Sequence, residues 1–225
     1  MKILSIDTAS NLCTVAILEN KNCLNEIIVD DARNHSEKIM PVIEQVLSES
    51  NLKLKDIDLV ICDKGPGSFT GIRIGVGTVL AFKDSLNIPC VGISSLEALA
   101  YNVSKEGFIC SLIDAKNDNV YYGLFELKNG EYTPVGNLEF KTIYEVMDLL
   151  KDFQENLTFV GDGSVSHKNV ILNYYPNSMF CLQNQVSSVS LGIAGLNYYQ
   201  KGNCSSIMPL YLRKSQAERA LEGKN

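Results

Sequence analysis

Histidine is nearly absent from this chain: among 225 residues only His35 and His167 occur. Metal centres and nucleophilic triads both lean on imidazole, so the scarcity narrows the available chemistry at once. His35 is followed four positions later by Ile39, so neither H-x-x-x-H nor H-E-x-x-H can form. Each histidine reads as a surface or capping residue. Ser68, in GPGSFTG, misses the G-x-S-x-G nucleophile elbow. The seven cysteines, at positions 13, 23, 62, 90, 110, 181 and 204, include no C-x-x-C pair and sit mostly in apolar runs such as VICD and FICSLI. They read as small buried hydrophobes. Their odd number, with an N-terminus (MKILSID) that enters a strand without a secretory apolar region, points to a reducing cytoplasm and not to a disulfide framework. No apolar run is long enough to span a bilayer. Positive charge is short as well: 20 basic against 26 acidic residues leave a net charge of -6. Such a surface does not grip nucleic acid or anionic membrane by charge alone, which leaves a partner as the route to any nucleic acid.

What is present is a layered α/β pattern with ample apolar content, 45% of residues. The chain organises around Ile57–Leu86. Here Ile57, Leu59, Val60, Ile61 and Cys62 predict a strand buried on both faces. Gly65, Pro66 and Gly67 break it, and Ser68 and Thr70 offer hydroxyls to cap a helix. The turn does not match the phosphate-loop spacing, since Thr70 and Ile72 fall where its second glycine belongs. It does not match G-x-G-x-x-G either, because Thr70 holds the last glycine position. The helix that follows carries Gly71, Gly75 and Gly77, each costing about 1 kcal/mol against alanine. Gly71 and Gly75 share one face with Thr78; Gly77 and Ala81 form a second small row. Either these rows pack on the chain's own sheet or neighbouring helix, or one of them meets a second protein chain.

Taken in order, strands are predicted at 2–7, 12–18 and 23–29, then a helix near 36–50 with Asn34 and Glu37 as a capping box. The buried strand and glycine-rich helix follow, then a strand at 88–93 and a helix opened by Ser94 and Glu97. From Phe108 the pattern restarts. Strands at 108–114, 120–127 and 132–140 precede a helix capped by Thr142 with Glu145, a strand at 157–160, a strand near 179–182 and a helix near 188–200. A last strand and a charged tail are expected after Pro209. Two βββαβ-type units in tandem imply an N-terminal lobe at 1–104 and a C-terminal lobe at 105–225, with the boundary near Ser104 to Gly107. The tyrosine pairs 121–122 and 198–199 read as sheet and core packing, since no basic residues interleave with them.

This plan resembles the two-lobed actin and sugar-kinase-like ATPases, in which the turn after each lobe's first strand carries an aspartate beside the nucleotide phosphates. The matching turns here are Asp7-Thr8-Ala9-Ser10 and Asp114-Ala115-Lys116-Asn117. The aspartates are present, but neither turn has a glycine to let backbone N–H groups close on a phosphate. Asp7 and Asp114 are therefore either degenerate phosphate-turn residues or simple turn caps. Asp162, in GDGS, is either a ribose partner or a turn residue.

The segments ILSIDTAS, HSEKIMPVIEQVL, GPGSFTGIRIGVG, PCVGISSLEALA, DAKNDNVYYG, GDGS and PLYLRKSQAE together are similar to the TsaB (YeaZ-like) family, along nearly the whole chain. The resemblance implies an α/β, two-lobed actin-like ATPase (ribonuclease H-like, ASKHA) fold, each lobe a mixed βββαβα-type sheet with helices. It also implies a subunit without catalysis or cofactor in bacterial tRNA threonylcarbamoyladenosine biosynthesis. Its partners would be the catalytic paralogue TsaD and the small ATPase TsaE, with a homodimer when alone and tRNA reached only through the complex. In the catalytic paralogue two histidines four apart bind the metal; here His35 stands alone. Family members pair through N-terminal-lobe helices, which selects Ile39, Val42, Ile43, Val46, Gly71, Gly75, Val79 and Phe82 as the expected partner surface. An ATP-dependent phosphotransferase using Asp7 and Asp114 across the interlobe cleft is the alternative, and a metallopeptidase a third.

Overall fold

The computed structural model describes residues 1–30, 35–153, 157–203 and 207–213. The first half builds a five-stranded sheet in the order β3-β2-β1-β4-β5, from β1 (Lys2–Asp7), β2 (Cys13–Glu19), β3 (Asn22–Val29), β4 (Leu59–Asp63) and β5 (Cys90–Ile93). The first three strands are antiparallel, and β4 and β5 add in parallel to β1. The second half repeats the plan with β6 (Gly107–Asp114), β7 (Asn119–Lys128), β8 (Glu131–Thr142), β9 (Leu157–Val160) and β10 (Met179–Phe180), in the order β10-β9-β6-β7-β8. Every position of β4 is buried, as its unbroken apolar run requires of a parallel central strand.

Alternation along the strands divides the core. In the first sheet Leu4, Ile6, Val15, Ile17, Val60 and Cys62 face α1 (His35–Glu49) and α2 (Phe69–Leu86). On its other face Ile3, Ala16, Leu18, Leu59 and Ile61 join a cluster that also takes Ile109, Tyr121, Phe125 and Leu127 of the second sheet. The outer face of the second sheet is covered by α4 (Ile143–Leu149) and α6 (Lys168–Tyr174), with Phe159 fully buried beneath them. Tyr121 and Tyr122 are buried, and Tyr198 and Tyr199 pack against the shared cluster.

The helices of the shared cluster change places. Helix α3 (Ser95–Ala100), from the first half, packs on β6 and β7. Helix α7 (Ser188–Gln200), from the second half, lies on β1, β2, β4 and β5. Residues 188–200, expected in the 105–225 lobe, thus pack on the first sheet. The physical reason is close approach: a Cβ on Gly192 would come within 2.7 Å of Leu18, and one on Gly195 within 2.5 Å of Ile61. The Thr14 and Ser188 hydroxyls, 2.6 Å apart, pin the start of α7 to β2.

Local signals explain the element ends. Ser68 caps α2 by accepting from Gly71 N, and Thr142 with Glu145 forms a full capping box at α4. Asn34, expected to cap α1, lies outside the described residues, as do Cys204 and the charged tail from 214 onward. Two short helices, α5 (Asp162–Ser166) and α6, occupy a stretch with no element expected. No strand forms at 207–213. That segment is a strap: Leu210 N donates to Lys64 O (2.7 Å), Tyr211 stacks on Phe69 (4.6 Å, 8°), and Arg213 Nη1 donates to Ala115 O (3.1 Å). It crosses from the first lobe to the second with its backbone spent on single contacts instead of a ladder.

Candidate functional site

Strands β1, β4 and β6 each end in an aspartate, and each aspartate folds back on the chain the same way. Asp7 Oδ1 accepts from Ala9 N (2.7 Å), Asp63 Oδ1 from Gly65 N (2.7 Å) and Asp114 Oδ1 from Lys116 N (2.9 Å). These are Asx turns, which satisfy a backbone donor just where a strand stops. They open on a cleft of about 280 Å³ between the lobes, with Ser10 and Ser68 on one wall and Asp114, Lys116 and Asp162 on the other.

The two aspartates singled out by sequence behave differently. Asp114 lines the cleft; its Oδ2 accepts from Lys116 Nζ at 2.6 Å, and His167 Nε2 lies 3.9 Å from Oδ1. Burial pushes the Asp114 carboxyl up, but the hydrogen bonds from the Lys116 side chain and backbone outweigh it and hold the group below its ordinary value. Asp162 supports this turn by accepting from Asp114 N through Oδ1 (3.0 Å), and burial pushes its own carboxyl up. Lys116, Asn117 and Asp118 take φ of 67, 53 and 58°, a left-handed run without glycine. The N–H of Lys116 is spent on Asp114, so the turn closes on itself.

Asp7 does not line the cleft. It is 0% exposed, and its Oδ2 accepts from Ser10 Oγ at 2.8 Å. Beside it sits Asp63, 1% exposed, whose Oδ1 also accepts from Ser95 Oγ at 2.7 Å. Sequence reading passed over Asp63. The signal available was the matched run of β1 and β4: Ile6 pairs with Cys62, so the next step sets Asp7 beside Asp63.

The space at Gly67, Gly71 and Gly75, before and inside α2, is filled by the chain itself. A Cβ on Gly67 would stand 2.3 Å from Ala9 O, one on Gly71 1.8 Å from Thr8 O, and one on Gly75 2.5 Å from Thr8 Oγ1. Thr8 Oγ1 donates to Gly71 O at 2.7 Å, and Ser68 N donates to Ala9 O at 2.8 Å. The side-chain-free row exists because the first turn presses into it. The residues expected to form the partner surface lie on the inner side of α1 and α2. Ile39, Val42, Ile43, Val46, Val79 and Phe82 are all at most 8% exposed within the first lobe's core, and Gly71 and Gly75 are buried under Thr8. The outward face of α2 carries Arg73, Gly77 and Ala81 instead, with nothing within 4 Å of a Cβ placed on Gly77.

Comparison with known proteins fits this arrangement. A family model described as "TsaD: tRNA N6-adenosine threonylcarbamoyltransferase" matches residues 24–221. The chain is 31% identical over 222 residues to the Bacillus subtilis tRNA threonylcarbamoyladenosine biosynthesis protein TsaB, covering 97% of this chain and 96% of that protein. A solved structure from Pseudomonas aeruginosa, an uncharacterized protein with similarity to peptidase YeaZ, superposes with a TM-score of 0.80 at 25% identity, covering 94% of this chain and 99% of that one. The ROK hexokinase of Thermus thermophilus, at 9% identity, shares the fold alone (TM-score 0.55, covering 90% and 100%). With two mixed five-stranded sheets, helices on their faces and a cleft between them, the architecture is the two-lobed actin-like one. The chain belongs to the TsaB (YeaZ-like) family of the tRNA threonylcarbamoyladenosine biosynthesis pathway.

Proposed function

We propose that this chain is a non-catalytic scaffold subunit that pairs with the catalytic subunit TsaD and supports threonylcarbamoyl transfer to adenosine beside the tRNA anticodon. TsaE joins that assembly, tRNA is reached through it, and the chain alone forms a homodimer in the cytoplasm. The observation that carries this is the filling of the first lobe's phosphate-side turn. Thr8 and Ala9, in the turn a nucleotide phosphate would have to approach, are spent packing against Gly71 and Gly67, and the Asp7 carboxyl is sealed inside. A phosphotransferase working across the cleft would need both aspartates facing it; Asp114 alone does, already held by Lys116.

The docking face assigned here is the outward side of α1 and α2, including Met40, Arg73, Gly77 and Ala81. Small exposed residues let another helix approach closely. Gly77→Trp tests this without touching the core, because the space around position 77 is open. The variant is expected to melt no lower than the wild type while losing co-purification with TsaD and tRNA modification in the reconstituted system. Unchanged complex formation would remove this face from consideration. Tight magnesium-ATP binding with turnover by the isolated chain, read by calorimetry, would overturn the non-catalytic assignment itself.

A further inference from the structure

Asp7 and Asp63 pose a problem of charge that the scaffold role does not address. They end neighbouring parallel strands in register, and paired positions on adjacent strands point to the same side at a spacing of about 4.8 Å. Both are buried, at 0% and 1% exposure. Three of their four oxygens are accounted for by donors: Ala9 N and Ser10 Oγ on Asp7, Gly65 N and Ser95 Oγ on Asp63 Oδ1. The fourth, Asp63 Oδ2, is sealed from solvent and receives no hydrogen bond. A buried carboxylate oxygen without a donor is costly, and one facing a second carboxylate is more so.

We propose that the pair shares one proton, carried on Asp63 Oδ2 and donated to the Asp7 carboxylate, and that this carboxyl–carboxylate hydrogen bond ties the turn after β1 to the turn after β4. The choice of Asp63 as the protonated member follows from the donors: Asp7 has one on each oxygen, which favours its anion, whereas Asp63 has both on Oδ1. Burial pushes both carboxyls up, and the negative charge of Asp7 raises Asp63 further. The groups facing the pair do not supply a compensating charge. From β2, Cys13 is pushed up to about 11 by burial and by Asp7; from β4, Cys62 is pushed up by burial and by Asp63. Both are neutral thiols. The hydroxyls of Ser10 and Ser95 are uncharged donors, and Lys64 acts on Cys62 and Glu97.

The bond adds to the contacts by which the first turn already meets the cap of α2, among them Ser68 N to Ala9 O and Thr8 Oγ1 to Gly71 O. The Asp7 turn holds Thr8 against α2, the Asp63 turn leads into the cap of α2, and Ser95 begins α3, which packs on the second sheet. Losing the proton would set two negative charges side by side under the cleft floor. For Asp63, whose folded value lies above the ordinary 3.8, the stabilisation is fully present below that value and is lost as pH rises through the folded one. Between the two, the folded chain binds one proton more than the unfolded chain, so the folding constant falls about tenfold per pH unit.

The test uses the full chain and is independent of any partner. Carbon-13 labelling of aspartate should reveal one carboxyl with the chemical shift and infrared stretch of the protonated form at neutral pH, absent from Asp63→Asn. That variant keeps the geometry, because its amide N–H can donate to Asp7 while its oxygen accepts from Gly65 and Ser95. It is expected to fold and to lose one proton's worth of the pH slope in denaturant unfolding. Fully ionised aspartates in the wild type at neutral pH would refute the proposal whether or not the variant folds. Persistence of the protonated signal in Asp63→Asn would also refute it.

Discussion

Two alanine substitutions six residues apart in α2 should move stability in opposite directions. At Gly77 a methyl group meets nothing within 4 Å, so Gly77→Ala keeps only the helix-propensity gain of about 1 kcal/mol. At Gly71 the same gain is offset by a collision: the new Cβ would lie 1.8 Å from Thr8 O, and ordinary contact begins near 3.4 Å. About 1.6 Å of separation must therefore open between α2 and the first turn. Thr8 is 0% exposed and cannot swing into solvent. Its 2.7 Å hydrogen bond to Gly71 O would break, at about 1 kcal/mol, and overpacking adds roughly 1–3 kcal/mol. Net of the propensity gain, Gly71→Ala should cost about 1–3 kcal/mol. At roughly 2–4 °C per kcal/mol for a chain of this size, Gly77→Ala should melt about 2–4 °C higher than the wild type and Gly71→Ala about 2–12 °C lower. Differential scanning calorimetry on the pair settles the matter. A Gly71→Ala protein melting at or above the wild type would refute the claim that this row is packed against the chain's own first turn.

Two further outcomes can be measured on the same preparations. Tyr211→Ala removes the ring stacked on Phe69 and the hydroxyl bonded to Arg73 Nε at 2.9 Å; a loss of about 1–2 kcal/mol and earlier proteolysis after residue 207 are expected, and an unchanged melting curve would show that the strap holds nothing. Asp114→Asn keeps an oxygen for Lys116 N but removes the charge. Since the folded Asp114 lies below the ordinary 3.8, its contribution is present above that value and disappears as pH falls through the folded one. Urea midpoints of wild type and variant should therefore differ at neutral pH and converge in acid; a gap that widens in acid would contradict this.

Strand positions, tandem halves and helix caps were legible because they are written locally. Alternation or unbroken apolarity marks β1, β2 and β4, and Thr142 with Glu145 marks the start of α4. Helices α5 and α6 were not legible, since they are five and seven residues long and bury too few apolar side chains to set up a period. The candidate site was half legible. Asp114 stood out by its turn and does face the cleft, while Asp7 stood out by the same rule and faces inward.

The sequence by itself determined that α2 has glycines on two rows and that the first strand of each half ends in aspartate, because spacing along a helix and the end of an apolar run are properties of the chain alone. Only the tertiary structure decided which row Thr8 fills, which side of α1 is buried, and that Asp7 stands beside Asp63. Glycine has no side chain to declare a preference for core or solvent, and strand register is fixed by the partner strand. Both were therefore settled by packing.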